Sequence, residues 1–445
     1  MCAALTVLAA VLVPLTLPLG WDERVYASRF DPYAPATPFS APRTRGVPLL
    51  LSPVAAWSDS APLLRAWLLV LSGTALYLGF RPWLRVVPRP SAVWVAAGLY
   101  GTVWTFLFYA NSAMPNHYTA MGALGATGCL LLRRPCRGGV VAGLAVVTLM
   151  RPNDGAAVAV PLLAAAVALP ALRGRAPARI AAVAGGLAAG ALPWVVEARL
   201  RFGGVRERLT EASDTQGGIR PVLAAVHQFT ALDGPLLCRP CAGDGVWPPA
   251  VGLWLLLPLL AALGLRSARR AGAATGPLWT AVAVALAAAA QYLLLVPYAA
   301  PRFLLPAYAL LAVPAALGVL AAADRARRSR TAAAALVAVL AGHLAVQGVL
   351  AHTHAGIQER AREDWRRIAV VLHEAGVRAP CLVTGNSAAI PIAHTAGCSS
   401  AGPGNRTRAD ALVLRDAEPP RWARDWPVHP VQDTYVPGWT VVVRP

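Results

Sequence analysis

Along the chain, apolar runs alternate with short polar turns. Eleven runs approach the roughly 20 residues that a membrane-spanning helix needs, a few of them short: 2–20, 61–80, 91–110, 118–132, 138–150, 155–172, 180–198, 248–265, 277–297, 303–323 and 331–350. This pattern predicts an all-α polytopic membrane protein over residues 1–351, with a first loop at 21–60 and a long loop at 199–247. From about residue 352 the character changes. Glu359 to Ala375 reads as an amphipathic helix, Pro380 to Thr384 as a buried strand and Ala388 to Thr395 as a helix. Ala411 to Leu414 and Trp439 to Val443 read as further strands. Residues 352–445 are therefore expected to form a small α/β domain.

Composition supports a membrane class: 57% of residues are hydrophobic and 14% charged, against roughly a quarter charged in soluble domains. The formal charge is +19, and all 40 basic residues are arginine. They recur in clusters between apolar runs and form no nucleic-acid-binding face, so no nucleic-acid partner is expected. Arginine without lysine, beside abundant Ala, Gly and Pro, points to a GC-rich bacterial coding sequence.

Charge also orients the chain. With a cytoplasmic N-terminus, the clusters at Arg81/Arg85/Arg89, Arg133/Arg134/Arg137, Arg173/Arg175/Arg179, Arg266/Arg269/Arg270 and Arg325/Arg327/Arg328/Arg330 all fall inside, as the positive-inside rule demands. Of the 21 acids, only Asp324 then lies on the cytoplasmic side. The first run lacks a basic leader and a small-x-small cleavage site, so it reads as a signal-anchor span. The expected location is the plasma membrane, multi-pass, with the C-terminal domain extracytoplasmic.

Seven cysteines divide by side. Cys2, Cys129 and Cys136 lie in or near the membrane and cytoplasmic turns. Cys238, Cys241, Cys381 and Cys398 lie outside, where disulfides form, most simply Cys238 with Cys241 and Cys381 with Cys398. A metal or redox role for Cys238-x-x-Cys241 lacks any His-rich partner spacing, and no metal site is assigned.

Candidate chemistry gathers in the first loop, where Asp22 and Glu23 stand beside a membrane boundary between Trp21 and Tyr26, followed by Arg43-Thr-Arg45-Gly46. A carboxylate there can take a proton from an acceptor at the bilayer surface. Arg43, Arg45, Arg151 and Arg302, all at outer loops or span ends, suit a lipid-linked phosphate or pyrophosphate. The plain alternative is that the acids mark the membrane exit and each arginine snorkels to headgroups. The spans carry almost no charged residues. Gln291 is the most obvious polar one, which disfavours an ion-coupled transporter.

The order of an apolar first span, Asp22-Glu23-x-x-Tyr26, Thr148-x-Met150-Arg151-Pro152, and Pro301-Arg-Phe-Leu-Leu-Pro306 resembles the GT-C membrane glycosyltransferases. Within them it is similar to the branch of the protein O-mannosyltransferases and aminoarabinose transferases. The resemblance implies inverting transfer of a sugar from a polyprenyl-phosphate carrier to an envelope acceptor (glycan, lipid or protein) on the outer face. It implies Asp22 as the acceptor-activating base, Glu23 as its support, and Arg302 and Arg151 as phosphate ligands. His117, in the Asn116-His117-Tyr118 turn, is a further candidate. No cofactor is firmly implied, and a divalent cation stays open. Ser40 to Gly46 replaces the His-Pro-Pro-Leu-like segment of that branch, which leaves the acceptor open. The competing class is a non-enzymatic membrane protein, flippase-like or an envelope scaffold. The two separate on whether Asp22 and Arg302 share one cavity, because beyond about 15 Å no carrier phosphate and acceptor bridge them.

Overall fold

A computed structural model of the chain describes residues 1–241 and 245–445, so residues 242–244 of the predicted loop 199–247 lie outside the described ones. The first half runs α1 (Cys2–Leu12), α2 (Trp21–Ala27), α3 (Gly46–Ala55), α4 (Ala61–Phe80), α5 (Ser91–Gly101), α6 (Trp104–Tyr109), α7 (Pro115–Leu131), α8 (Arg137–Met150) and α9 (Pro152–Ala168). It continues through α10 (Pro170–Arg173), α11 (Ala176–Arg201), α12 (Val205–Thr215), α13 (Ala225–Thr230), α14 (Gly252–Arg270), α15 (Gly276–Leu294), α16 (Leu305–Ala326) and α17 (Arg330–Glu374). Each of the eleven apolar runs carries a helix. Six helical segments of the described residues are long and apolar enough to cross a membrane.

Where the helices depart from the runs, a local cause is visible. Run 2–20 is helical only to Leu12, because Pro14 and Pro18 cannot donate to a helix ladder. Buried carbonyls freed this way need donors. Asn111 Nδ2 reaches Val13 O at 3.0 Å, and Arg65 reaches Leu17 O at 2.6 Å and Pro18 O at 3.0 Å. Arg65 sits inside run 61–80 and is fully buried, and Glu197 sits inside run 180–198. These two are the charges inside the eleven runs, and they serve backbone and partners that the linear pattern does not display.

Helices α7 and α8 touch backbone to backbone. A Cβ added at Gly122 would lie 2.7 Å from Gly143 O, and one at Gly143 would lie 2.7 Å from Gly122 O. Two of the polar turns are joined by an ion pair, Arg89 with Asp324 at 2.7 Å. Buried Arg179 donates to the carbonyls of Leu130, Leu132 and Leu172.

Helix α17 is continuous for 45 residues, joining the predicted span 331–350 to the predicted helix 359–375. No proline interrupts it, Ser329 caps its start through Ala332 N–H, and Gly376 at φ +90° ends it. There Val377 N bonds Leu372 O and Gly376 N bonds His373 O. Beyond it lie β1 (Leu382–Gly385), α18 (Ala389–Thr395), β2 (Ser399–Ser400), β3 (Ala411–Arg415), β4 (Val428–Pro430) and β5 (Trp439–Val443). The sheet order is β2-β1-β3-β5-β4, with β1 parallel to β2 and β3, and β5 antiparallel to β3 and β4. Alternation along β3 sends Ala411 and Val413 toward Ile368 and Leu372 of α17, and Leu412 and Leu414 to the opposite face with Ala423 and Val442. Cys381 is bonded to Cys398 and Cys238 to Cys241.

Candidate active site

Helix α2 begins at the end of the broken first run, and its first turn holds both acids. Successive residues of a helix point about 100° apart, so Asp22 and Glu23 face different surroundings. Glu23, at the third helical position, accepts from Gly20 N–H at 2.6 Å, closing the helix start from below. Its other oxygen accepts from Ala113 N–H at 2.9 Å, and Arg65 and Arg362 each stand 3.1 Å from its carboxylate. Burial opposes ionisation, yet the two guanidinium groups and two amides outweigh it and hold this carboxyl at about 2, against an ordinary 4.5. Glu23 is 3% exposed and does not line the site cavity. It is a structural hub.

Asp22 turns the other way and is one-third exposed. Its Oδ1 lies 2.7 Å from Arg43 Nη2 and its Oδ2 lies 3.8 Å from Arg302 Nη2. Asp22 and Arg302 therefore share one cavity, of about 240 Å³, far inside the separation that divides the two function classes. Arg302 sits on the 3-10 turn Pro301–Leu304 at the head of α16, where its Nη1 donates to Tyr109 Oη (3.1 Å) and Leu236 O (2.7 Å). Arg151 follows Met150 in extended conformation, since Pro152 opens a new helix. Its guanidinium lies over the rings of Tyr292 and Phe303 and 3.5 Å from Asp154. Asp154 also accepts from Tyr292 Oη (2.6 Å) and from Gln291, the polar residue noted in run 277–297.

Of the sequence candidates, Asp22, Tyr26, Arg43, Arg151 and Arg302 all line this cavity. Tyr26 lies beneath Arg43, 5.6 Å from guanidinium to ring. Burial pushes its hydroxyl up, so it is a neutral donor at physiological pH. Arg45 and His117 are not brought to the cavity. Arg45 turns away to Glu197, with Nε 3.0 Å from Oε1. His117 is buried among Tyr100, Phe106 and Tyr118, with Nδ1 3.0 Å from Tyr100 Oη and Nε2 3.1 Å from Ser72 O. Its neighbour Asn116 lines the cavity instead.

Other lining residues were not singled out in the sequence, among them Thr215, Gln216, Leu237 and Arg239 from the long loop, Met114 and Pro115, and Tyr298. Cys238 pins this loop, exchanging backbone hydrogen bonds with Ala299 at 2.9 and 3.2 Å. Arg239 lies between the paired cysteines, 5.2 Å over the Tyr298 ring. The signals were there, in the Cys-x-x-Cys spacing and in the residues just upstream of Pro301, but neither pointed to a cavity.

Asp22 is the acid among the described lining residues, facing Arg43, Arg151, Arg239 and Arg302. Such an excess of forked cations suits a phosphate. Met150 also borders a second cavity of about 740 Å³, an apolar groove between α3, α4, α7 and α8 that runs past Leu78 and Val146 to Arg81, Arg85 and Cys136. Among the described residues no group of three or more His, Cys, Asp or Glu side chains is gathered to hold a metal ion.

The fold is similar to those of two solved proteins. The chain is similar in structure to ArnT from Cupriavidus metallidurans bound to undecaprenyl phosphate: TM-score 0.67, 12% identity, 99% of this chain and 96% of that chain covered. The apo state of the same protein gives 0.64, with 12% identity and the same coverage. The archaeal oligosaccharyltransferase AglB from Archaeoglobus fulgidus, in complex with an inhibitory peptide and a dolichol-phosphate, gives 0.55 at 13% identity, covering 93% of this chain and 69% of that one. No protein-family model matches the chain, and no curated protein matches its sequence. Identity this low carries over the fold and no residue's role.

Proposed function

We propose that this protein is a membrane glycosyltransferase that moves a sugar from a polyprenyl-phosphate carrier to a cell-envelope acceptor, with inversion at the transferred carbon. The observation that carries the reading is the junction at Met150: a cation-rich polar cavity holding one carboxylate adjoins a long apolar groove. A polyprenyl phosphate has those two parts, a charged head and an apolar tail.

In this mechanism Asp22 takes the proton of the acceptor hydroxyl, whose oxygen attacks the sugar carbon while the bond to the carrier phosphate breaks. Arg302, Arg151 and Arg43 stabilise the charge that collects on the departing phosphate. With Asp22 acting as the base of the acceptor hydroxyl, the sugar carbon is displaced once, and a single displacement inverts it. Glu23 acts by fixing the helix that presents Asp22. The arginine-rich turns lie at the ends of the helices remote from the cavity, which supports an extracytoplasmic site, a cytoplasmic N-terminus and an outward 352–445 unit.

The test offers the purified protein, in membranes, a panel of radiolabelled polyprenyl-phosphate sugars together with envelope extracts, and follows label into acceptor. Transfer by the parent that falls about 100-fold or more in Asp22→Asn is expected, by the usual size of general-base effects. Equal transfer by parent and Asp22→Asn removes the mechanism, and no transfer from any donor favours the non-enzymatic class. Reporter fusions after Arg330 and after Pro445 should give opposite sides, and matching sides would overturn the topology.

A further inference from the structure

Beside the cavity lies a buried ion cluster, Arg208 of α12 with Glu197 of α11 and Arg45, none of which lines the cavity itself. Helix α12 is amphipathic and largely exposed, yet Arg208 on its inner face is fully buried. The Arg208 Nε donates to Ala41 O at 3.1 Å and Nη2 to Arg43 O at 2.8 Å. Nη1 donates to Trp194 O at 2.8 Å, and Nη2 also meets Glu197 Oε2 at 3.1 Å. The guanidinium lies 4.6 Å from the ring centres of both Trp194 and Phe202. Glu197 in turn holds Arg45 through its other oxygen. The turn Ala41–Arg45 is thus clamped at two carbonyls by Arg208 and at one side chain by Glu197.

What that turn carries is Arg43, the group 2.7 Å from Asp22. We infer that Arg208, braced by Glu197, is a positioning residue: it fixes the backbone from which Arg43 reaches Asp22, and so sets the geometry of the proposed base without touching substrate. This rests on the glycosyltransferase reading for its consequence, though the clamp itself does not. Only a planar fork can serve three carbonyls and a carboxylate in fixed directions, whereas an ammonium at the same place keeps the charge and loses the directions.

The experiment uses the full chain in lipid nanodiscs and the variants Arg208→Lys, Arg43→Gln and the double variant. Hydrogen exchange of the backbone amides of residues 40–46 reads the clamp with no substrate present. Exchange about 10-fold or more faster in Arg208→Lys is expected, as for a segment that loses its anchoring bonds, with exchange in α7 and α16 unchanged. Unchanged exchange in 40–46 overturns the clamp, and faster exchange throughout marks Arg208 as a general fold residue and also overturns it.

With the polyprenyl-phosphate sugar that the parent uses, Arg208→Lys is expected to lower kcat about 100-fold, the scale set by misplacing a reacting group by an ångström, while the donor KM changes far less. In the Arg43→Gln background the same substitution should add almost nothing, because its route to Asp22 is already cut. Additive losses would show that Arg208 does not act through Arg43. If the parent transfers no sugar while exchange in 40–46 still responds, the glycosyltransferase reading fails and the clamp stands.

Discussion

Asp22 and Glu23 are neighbours in sequence, in the same helical turn and with the same functional group, yet they occupy opposite environments. Glu23 is sealed beneath α2 by two guanidinium groups and two amides. Asp22 is open to a cavity with one close and one longer arginine contact. One position is buried in a network of partners, and the other is the one proposed to react. The lesson is that an acid pair beside a membrane divides its tasks by helix geometry. A buried carboxylate held by four donors anchors the helix, and its neighbour is left facing the cavity with fewer partners.

The sharpest way to break this contrast is Glu23→Gln. It leaves Arg65 and Arg362 buried side by side without a counter-charge and should cost about 3–5 kcal/mol, as other broken buried pairs do, read as a fall in the denaturant midpoint. Asp22→Asn comes next and inverts the pattern, with transfer lowered about 100-fold and the denaturant midpoint nearly unchanged. A third effect, in donor use, is expected from Arg302→Ala, which should lower kcat/KM for the donor about 10-fold or more, in keeping with hydrogen bonds to charged groups. Acid titration sharpens the comparison further. Glu23 titrates lower when folded, so its stabilisation is complete above about 4.5 and is lost as pH falls toward 2. Parent and Asp22→Asn should share that acid limb of the unfolding curve, and Glu23→Gln should lack it. The smallest effect sets the baseline: Glu363→Gln breaks an exposed pair with Arg366 and should leave both midpoint and rate unmoved.

Helix placement was legible because apolar runs and arginine-rich turns are local signals, each readable within about 20 residues. What was not legible depends on pairing at a distance. Arg65 lies among leucines and looks like an anomaly until Pro14 and Pro18 are seen to free the carbonyls it serves, 47 and 48 positions away. Asp22, Arg43, Arg151 and Arg302 could be named from residue type and span ends, but Arg45 fitted that rule equally well and is drawn off by Glu197, 152 positions distant. His117 lies away from the cavity, covered by aromatics from other helices. Gln216 and Arg239 come from a loop without periodicity, where sequence offers no facing rule.

Helix α17 carries a mechanical consequence. At 1.5 Å per residue its 45 residues extend roughly 68 Å, about twice the thickness of a bilayer's hydrocarbon core. The terminal sheet is thus mounted on a stiff lever, with no hinge between it and the apolar half. Arg362, part-way along that lever, bonds Pro18 O at 2.6 Å and Glu23 at 3.1 Å. Through Arg362 the terminal sheet and the first turn of α2 are tied to one continuous rod, so a change in the rod's tilt would move the floor beneath the acid pair.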